Sequence, residues 1–198
     1  MDIAKIFNSK TRQELFRLYF TNPESAYYLR ELERLLGIPV SMIRKELMRL
    51  QEDGIFLSQR KGNLTLYSLN QSYQLFDELK SIVFKTIGIQ GLLQDILKET
   101  KGVEVAFIYG SFAKNEAKAA SDVDLFIIGK VDEDQLIREM NRLERVLKRE
   151  INYSLYTPKD FQRKRRQRDS FIMDLLENKK IFLIGEENDL RKFYTGIS

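Results

Sequence analysis

The chain has 198 residues, of which 43% are hydrophobic, and it carries a formal net charge of +4. This length suits one medium domain or two small ones, and the apolar content predicts packed cores rather than disorder. Cysteine and histidine are both missing from the sequence, which excludes disulfides, thiolate zinc sites and imidazole chemistry and leaves carboxylate and hydroxyl oxygens, the ligands that favour Mg²⁺ or Mn²⁺.

The first residues of the chain, 1–7, lack the basic-then-apolar order of a signal peptide. No stretch of 18 apolar residues occurs anywhere in the sequence. We therefore expect a cytoplasmic protein without a membrane partner. The mild positive charge permits a nucleic-acid partner without demanding one.

The first seventy residues read as three helices followed by a β-hairpin. Thr11 to Glu14 has the form of a capping box at a helix start, and Gly37 is a stop signal for the second helix. The loop that begins at Lys61 contains the glycine and asparagine that hairpin turns favour. The predicted helices cover residues 11–20, 28–37 and 41–53, and the predicted strands cover residues 55–60 and 64–69.

This order of elements resembles a winged helix-turn-helix domain over about residues 9–70. The resemblance implies that the third helix enters the DNA major groove and that the hairpin, the wing, contacts the phosphate backbone. The DNA-contacting positions that carry over, on that helix and at the wing tip, are Ser41, Met42, Arg44, Lys45, Arg49, Arg60, Lys61 and Asn63. Winged helices also serve as protein-contact or dimerisation modules, and that alternative stays open.

Residues 71–101 are predicted to form a helical linker. Apolar stripes of helical spacing lie before and after Gly88 and Gly91, so we expect two helices with a break at these glycines. The first helix would be an inter-domain spacer or a dimer helix, which leaves a homodimer open.

The C-terminal half, residues 102–198, alternates strands and helices. The predicted strands cover residues 103–109, 123–128, 151–156 and 180–185, with helices opening near Asp132, Thr157 and Glu187. The predicted fold class is α+β: a winged helix-turn-helix domain over residues 1–70, the linker, and a small mixed-sheet domain over residues 102–198.

Gly110 and Ser111 form a tight turn after one apolar strand, and Asp122 and Asp124 open the next. Alternate residues of a strand share a face, so the two carboxylates point the same way. Two like charges at that spacing repel each other unless a divalent cation lies between them. The pattern predicts a divalent-metal site next to the Gly-Ser turn.

These residues, in this order, resemble the nucleotidyltransferase superfamily that includes DNA polymerase beta, over about residues 103–156. The resemblance implies that Gly110 and Ser111 bind a nucleoside triphosphate and that Asp122 and Asp124 are catalytic and hold Mg²⁺ or Mn²⁺. Lys114, just after the turn, is a further candidate for a phosphate contact, or is a solvated side chain.

The family's third carboxylate lies on the neighbouring strand, where this chain has Glu150 and Asn152 on one face. Either Glu150 serves as the third catalytic acid, or Asn152 has replaced it. An amide binds metal less well than a carboxylate and cannot act as a base. A competent enzyme is expected if Glu150 fills the position, and a weak one if Asn152 fills it.

Six basic residues lie between Lys159 and Arg168. Such a run is either a solvated helix face or a positively charged binding surface for nucleic acid or triphosphate.

The leading hypothesis is a DNA-binding protein whose nucleotidyltransferase domain binds Mg-NTP and transfers a nucleotidyl group to a protein or RNA acceptor. The chain also resembles antitoxin-like minimal nucleotidyltransferases, which implies a small helical partner protein. The alternative is a transcription regulator whose transferase domain is a weak or inactive nucleotide sensor.

Overall fold

A computed structural model describes residues 9–118 and 121–195. The chain divides into two compact units, residues 1–91 and 92–198. The division falls inside the segment that was predicted to be a linker. None of the helices in the described ranges is both long and apolar enough to cross a bilayer.

The N-terminal unit combines helices with a three-stranded antiparallel sheet of order β1-β3-β2. Its elements are α1 (Lys10–Thr21), β1 (Ala26–Tyr28), α2 (Leu29–Leu36), α3 (Val40–Glu52), β2 (Phe56–Lys61), β3 (Leu64–Leu69) and α4 (Phe76–Lys85). The predicted helices and hairpin are all present. Strand β1 was not predicted, because three residues are too few to show alternation, and it forms only by pairing with β3.

The starts of all three predicted helices, α1, α2 and α3, differ from the sequence prediction by one residue. Helix α1 is capped by Ser9, whose hydroxyl accepts a hydrogen bond from the Arg12 backbone N–H at 3.1 Å, so the expected start at Thr11 is wrong. Helix α3 begins at Val40, whose N–H donates to the Glu33 carboxylate at 3.2 Å. Gly37 ends α2 with a φ of +65°, as its position predicts.

The core of this unit is aromatic and includes the helix after the hairpin. Tyr19 is fully buried, its ring packs edge-to-face on Phe56 at 4.8 Å, and its hydroxyl donates to the Tyr67 carbonyl at 3.0 Å. Val83 of α4 and Ile87 belong to the same buried cluster. Residues up to Ile87 therefore stabilise the N-terminal unit rather than forming a free spacer.

Helix α5 (Ile89–Glu99) follows α4 after a break at residues 86–88. Gly91 lies inside α5, so the expectation that it marks the break is wrong for this glycine. It is glycine for another reason, since a Cβ here would lie 1.7 Å from the Thr86 carbonyl oxygen. The first turn of α5 passes too close to the end of α4 for any side chain.

The C-terminal unit is built on a four-stranded mixed sheet of order β6-β5-β4-β7, in which only the β5–β6 pair is parallel. Besides α5, its elements are β4 (Val103–Tyr109), α6 (Gly110–Lys114), β5 (Val123–Gly129), α7 (Glu133–Leu147), β6 (Ile151–Tyr156), α8 (Pro158–Arg166), α9 (Ser170–Glu177), β7 (Ile181–Ile184) and α10 (Glu187–Thr195). The predicted small mixed sheet is confirmed. Helix α9 was missed; its start signal is Asp169, whose carboxylate accepts from the Ile172 N–H at 3.2 Å.

The two faces of this sheet are covered differently. On one face Phe107 and Phe126 stack at 5.3 Å and belong to a buried cluster with Phe161 of α8 and residues of α9 and α10. On the other side Glu144 of α7 accepts a hydrogen bond from the Ile151 N–H at 2.8 Å, which ties α7 to β6. The first face continues, past its apolar residues, to the two aspartates.

Candidate functional site

Asp124 occupies the middle of the sheet at the end where β4 finishes and β5 begins. Its register partners are Tyr109, the last residue of β4, and Asn152 on β6. Gly110 follows Tyr109 directly. Antiparallel pairing of β4 with β5 therefore brings the Gly-Ser turn to the aspartates, as the motif requires.

Gly110 is in contact with the Asp124 side chain. Its φ is +67°, and a Cβ built on it would lie 2.3 Å from Asp124 Oδ2. Backbone conformation and space both demand glycine here. The close approach fixes the Asp124 carboxylate against the start of α6.

Asp122 and Asp124 bring two negative charges close together. Both side chains are partly buried and lie on the same face of β5. Burial, and secondly the charge of Asp122, raise the pKa of the Asp124 carboxyl. A hard divalent cation would offset the repulsion and prefers carboxylate oxygens, so Asp122 and Asp124 are the residues that would hold Mg²⁺ or Mn²⁺.

The other predicted nucleotide-binding residues lie on the short helix α6. Ser111 is half-buried beside Gly110 in its first turn. Lys114 is the last residue of α6 and is exposed. Asn115 follows it and ends the helix with a φ of +60°. Ser111 is thus near the aspartates in the fold, and a phosphate contact by Lys114 stays a prediction.

The residue that faces the pair from β6 is Asn152. Its Nδ2 donates to Asp122 Oδ2 at 3.2 Å, while Glu150 is exposed, precedes the strand, and accepts through its backbone carbonyl from the Val123 N–H at 2.9 Å. Within residues 9–118 and 121–195 no three acidic side chains gather into a metal-binding group. The geometry brings Asn152, and not Glu150, to the pair, and a catalytic role for Glu150 stays a prediction.

One buried residue beside the site was missed by sequence reasoning. Arg149 is 8% exposed, and its guanidinium donates to the carbonyls of Lys118 and Ser121, directly before Asp122. In the sequence it stands between Lys148 and Glu150 and reads as part of a solvated charged turn. No local signal distinguishes it, because its partners lie 28 and 31 residues away.

An aromatic group extends from the aspartates along the same face of the sheet. The Tyr109 ring contacts Phe171 of α9 at 5.9 Å, and its hydroxyl is hydrogen-bonded to Ser154. Burial raises the pKa of Tyr109, and the Ser154 hydrogen bond opposes that rise. Phe171 remains 36% exposed, so an apolar surface lies open beside the acidic pair.

Half of the basic run on α8 has partners within the unit. Arg163 pairs with Asp160 at 2.6 Å, and Lys164 pairs with Asp169 at 2.9 Å. Arg165 lies over the Tyr194 ring at 4.9 Å. These contacts explain three of the six charges structurally, which favours the interpretation of the run as a helix face. The other three basic residues of the run, Lys159, Arg166 and Arg168, are exposed, as is the paired Arg163.

The predicted DNA-contacting residues of α3 share one open surface. Ser41, Arg44, Lys45 and Arg49 are all exposed, while Ile43, Leu47 and Leu50 are buried on the opposite side. The four line a shallow groove of about 600 Å³ together with Val40, Met48 and Glu52. We call this surface the α3 groove.

The tip of the β2–β3 hairpin is basic and exposed. Arg60 and Lys61 lie at the end of β2, and the two-residue turn Gly62–Asn63 follows. Arg60 Nε donates to the Gly62 carbonyl at 3.2 Å, which draws its side chain along the turn. The expected three-residue loop is one residue shorter, since Lys61 pairs with Leu64.

The segment 92–185, just under half of the chain, matches the family described as polymerase beta, nucleotidyltransferase. No curated protein matches the sequence.

Among solved structures, a mutant of the toxin–antitoxin MntA-HpeT is 12% identical to this chain with a TM-score of 0.38; the match covers 55% of this chain and 82% of that one. A toxin–antitoxin structure with AMP-PNP is 14% identical with a TM-score of 0.39, covering 54% and 82%. Both structural likenesses are weak. The family match includes Gly110, Ser111, Asp122 and Asp124, so residues 92–185 are similar to a nucleotidyltransferase domain.

Proposed function

We propose that this chain is a DNA-binding protein whose nucleotidyltransferase-like domain binds a magnesium nucleoside triphosphate and transfers a nucleotidyl group to a protein or RNA acceptor. The contact between Gly110 and the Asp124 carboxylate carries the proposal, since it joins the turn and the acidic pair inside the family match. If Asp122 and Asp124 only marked a solvated sheet edge, position 110 would not be restricted to glycine.

In this site the chain's own residues position the reactants. Gly110 and Ser111 offer backbone N–H groups and a hydroxyl to phosphate oxygens. Asp122 and Asp124 would hold the cation next to the Gly-Ser turn. When bound, Mg²⁺ supplies charge neutralisation at the attacking and leaving oxygens.

A second candidate function is nucleotide sensing with little or no transfer. The observation that favours it is the hydrogen bond from Asn152 to Asp122, because an amide fills the place that faces the pair. An amide cannot take the acceptor's proton, and it contributes less to holding a second cation. The protein would then bind Mg-NTP without transferring the nucleotidyl group, and the bound nucleotide would act as a signal to the rest of the protein.

DNA binding by the N-terminal unit is supported by the order of its elements and by the exposed charges of the α3 groove. Within the described ranges, Arg44, Lys45 and Arg49 form no ion pair. Exposed cations that are not paired within the protein are available for phosphate contacts. We propose that α3 lies in the major groove and that Arg60 and Lys61 contact the backbone.

Calorimetric titration of ATP into the protein, with and without Mg²⁺, tests the nucleotide site. We expect binding that needs the cation, and we expect its loss when Asp122→Asn and Asp124→Asn are combined. A matched control replaces the exposed Asp95 and Asp134 of the same unit by Asn, which removes the same charge elsewhere. Unchanged Mg-ATP binding by the Asp122, Asp124 double variant would show that the site lies elsewhere.

A further inference from the structure

Arg149 is a buried cation whose role the nucleotide site leaves unexplained. It lies in the short turn between α7 and β6 and is 8% exposed. Its Nη1 donates to the Lys118 carbonyl at 3.2 Å and to the Ser121 carbonyl at 2.5 Å. Both acceptors belong to the segment that leads from α6 to Asp122.

The same guanidinium also reaches the other half of the motif. Its central carbon lies 5.4 Å from the centre of the Phe112 ring, and Phe112 follows Ser111 on α6. One planar group thus touches the helix after the Gly-Ser turn and the segment before the aspartates. Two parts of the motif that are separate in the sequence meet on this side chain.

Asp122 is the negative charge that acts on Arg149. Burial lowers the pKa of the Arg149 guanidinium, and the charge of Asp122 raises it. A buried arginine keeps its proton, so it remains a fixed cation next to one member of the acidic pair. It compensates part of the repulsion that Asp122 and Asp124 exert on each other before any cation binds.

We propose that Arg149 is a positioning residue, which fastens the segment ending at Asp122 to α6 so that Asp122 stays beside Asp124 before metal or nucleotide arrives. The inference rests on the proposed Mg-NTP function. It adds a residue that touches neither phosphate nor metal and acts through Asp122 and the backbone around it.

Arginine suits this task better than lysine. One terminal nitrogen of the planar guanidinium donates to both carbonyls while its plane packs on the Phe112 ring. A lysine ammonium is a compact, strongly hydrated charge that cannot stack on the ring in this way. Arg149→Lys therefore keeps the charge and weakens the fastening, and Arg149→Met removes both. A role through charge alone predicts that Lys replaces Arg and that Met, which deletes a cation near the site, tightens metal binding. The positioning role predicts that both variants lose affinity.

The test measures binding of Mn²⁺ alone by electron paramagnetic resonance, together with hydrogen exchange of the full chain, for wild type and both variants. We expect the Mn²⁺ concentration at half-saturation to rise about tenfold or more in both. Exchange should accelerate at the amides around Ser121 and Asp122 while the strands of the sheet keep their protection. Arg138→Met, an exposed charge removal on α7, is the control and should change neither readout.

Each outcome separates this inference from the function on which it rests. If wild type binds no Mn²⁺, the proposed nucleotide function fails. If wild type binds and both variants bind equally well, or Lys replaces Arg fully, the positioning role is wrong while the function stands. A loss of stoichiometry at unchanged midpoint, with faster exchange across the whole unit, would make Arg149 a core residue and also overturn the inference.

Discussion

The carboxylate of Asp124 rests against the α-carbon of Gly110, with no room for a methyl group between them. The two residues are 14 positions apart in the chain and meet because β4 and β5 pair antiparallel, with Tyr109 opposite Asp124. The turn that would hold phosphate and the acid that would hold metal are therefore one structural unit. A substitution of Gly110 should therefore disturb Asp124, and a substitution of Asp124 should disturb the turn.

Gly110→Ala should destabilise the C-terminal unit and abolish Mg-ATP binding. The left-handed φ costs an alanine about 1 kcal/mol, and the clash with Asp124 should bring the loss to about 2–3 kcal/mol. Gly62→Ala is the matched control, because Gly62 has a φ of +61° with open space around it. Urea unfolding of both variants separates backbone strain from the clash. Equal losses for the two would show that Asp124 does not lie against Gly110.

Asp124→Asn should stabilise the metal-free protein. Because burial and Asp122 raise the pKa of Asp124 in the folded state, that carboxyl favours folding at low pH, and this contribution is lost as pH rises through the raised pKa. At pH 7 the variant should gain up to about 1 kcal/mol, with solvent screening taken into account.

Thermal unfolding in EDTA between about pH 3 and pH 8 would measure this gain, which should shrink as the pH falls towards the ordinary Asp pKa of about 3.9. Saturating Mg²⁺ should reverse the order, because the cation stabilises only the protein that binds it. A gain that is equal at every pH would contradict the electrostatic cause.

The sequence predicted the parts of this molecule whose signals are local. The Gly-Ser turn, the Asp pair and the boundaries of β6 follow from apolar alternation and turn residues within a few positions. Each of these features depends on neighbours in the chain, which a single sequence contains.

Features that depend on distant partners could not be predicted. Glu46 lies among the apolar positions of α3 and is buried because Arg12, 34 residues earlier, pairs with it at 2.5 Å. Arg149 is buried for the same kind of reason. A charged residue in a sequence reads as exposed unless its partner is known, so ion pairs and buried hydrogen bonds of long range appear only in the fold.

Replacing Arg44 and Lys45 by Ala should weaken duplex DNA binding and flatten its dependence on salt. Each phosphate contact contributes about 0.9 to the slope of log K against log salt concentration, so losing two should lower that slope by about two. The control replaces Lys10 and Lys85, which are exposed in the same unit and do not line the α3 groove. Fluorescence anisotropy at several salt concentrations would measure both. Equal effects of the two double variants, or binding that does not respond to salt, would place the N-terminal unit among protein-contact modules.

Asn152→Asp should raise the rate of the proposed nucleotidyl transfer. Asn152 faces Asp122 from β6 and donates to it at 3.2 Å, so a carboxylate there would complete three acids on one face. With labelled ATP, Mg²⁺ and cell extract as the source of acceptor, we expect transfer to rise about tenfold or more, and Mn²⁺ binding to tighten in parallel.

Glu150→Gln should leave the rate unchanged, since Glu150 precedes the strand. Asn141→Asp, an exposed change of the same chemistry on α7, is the control. A loss of about a hundredfold in Glu150→Gln would instead identify Glu150 as the working acid, and brisk wild-type transfer that responds to neither change would place the third ligand outside β6.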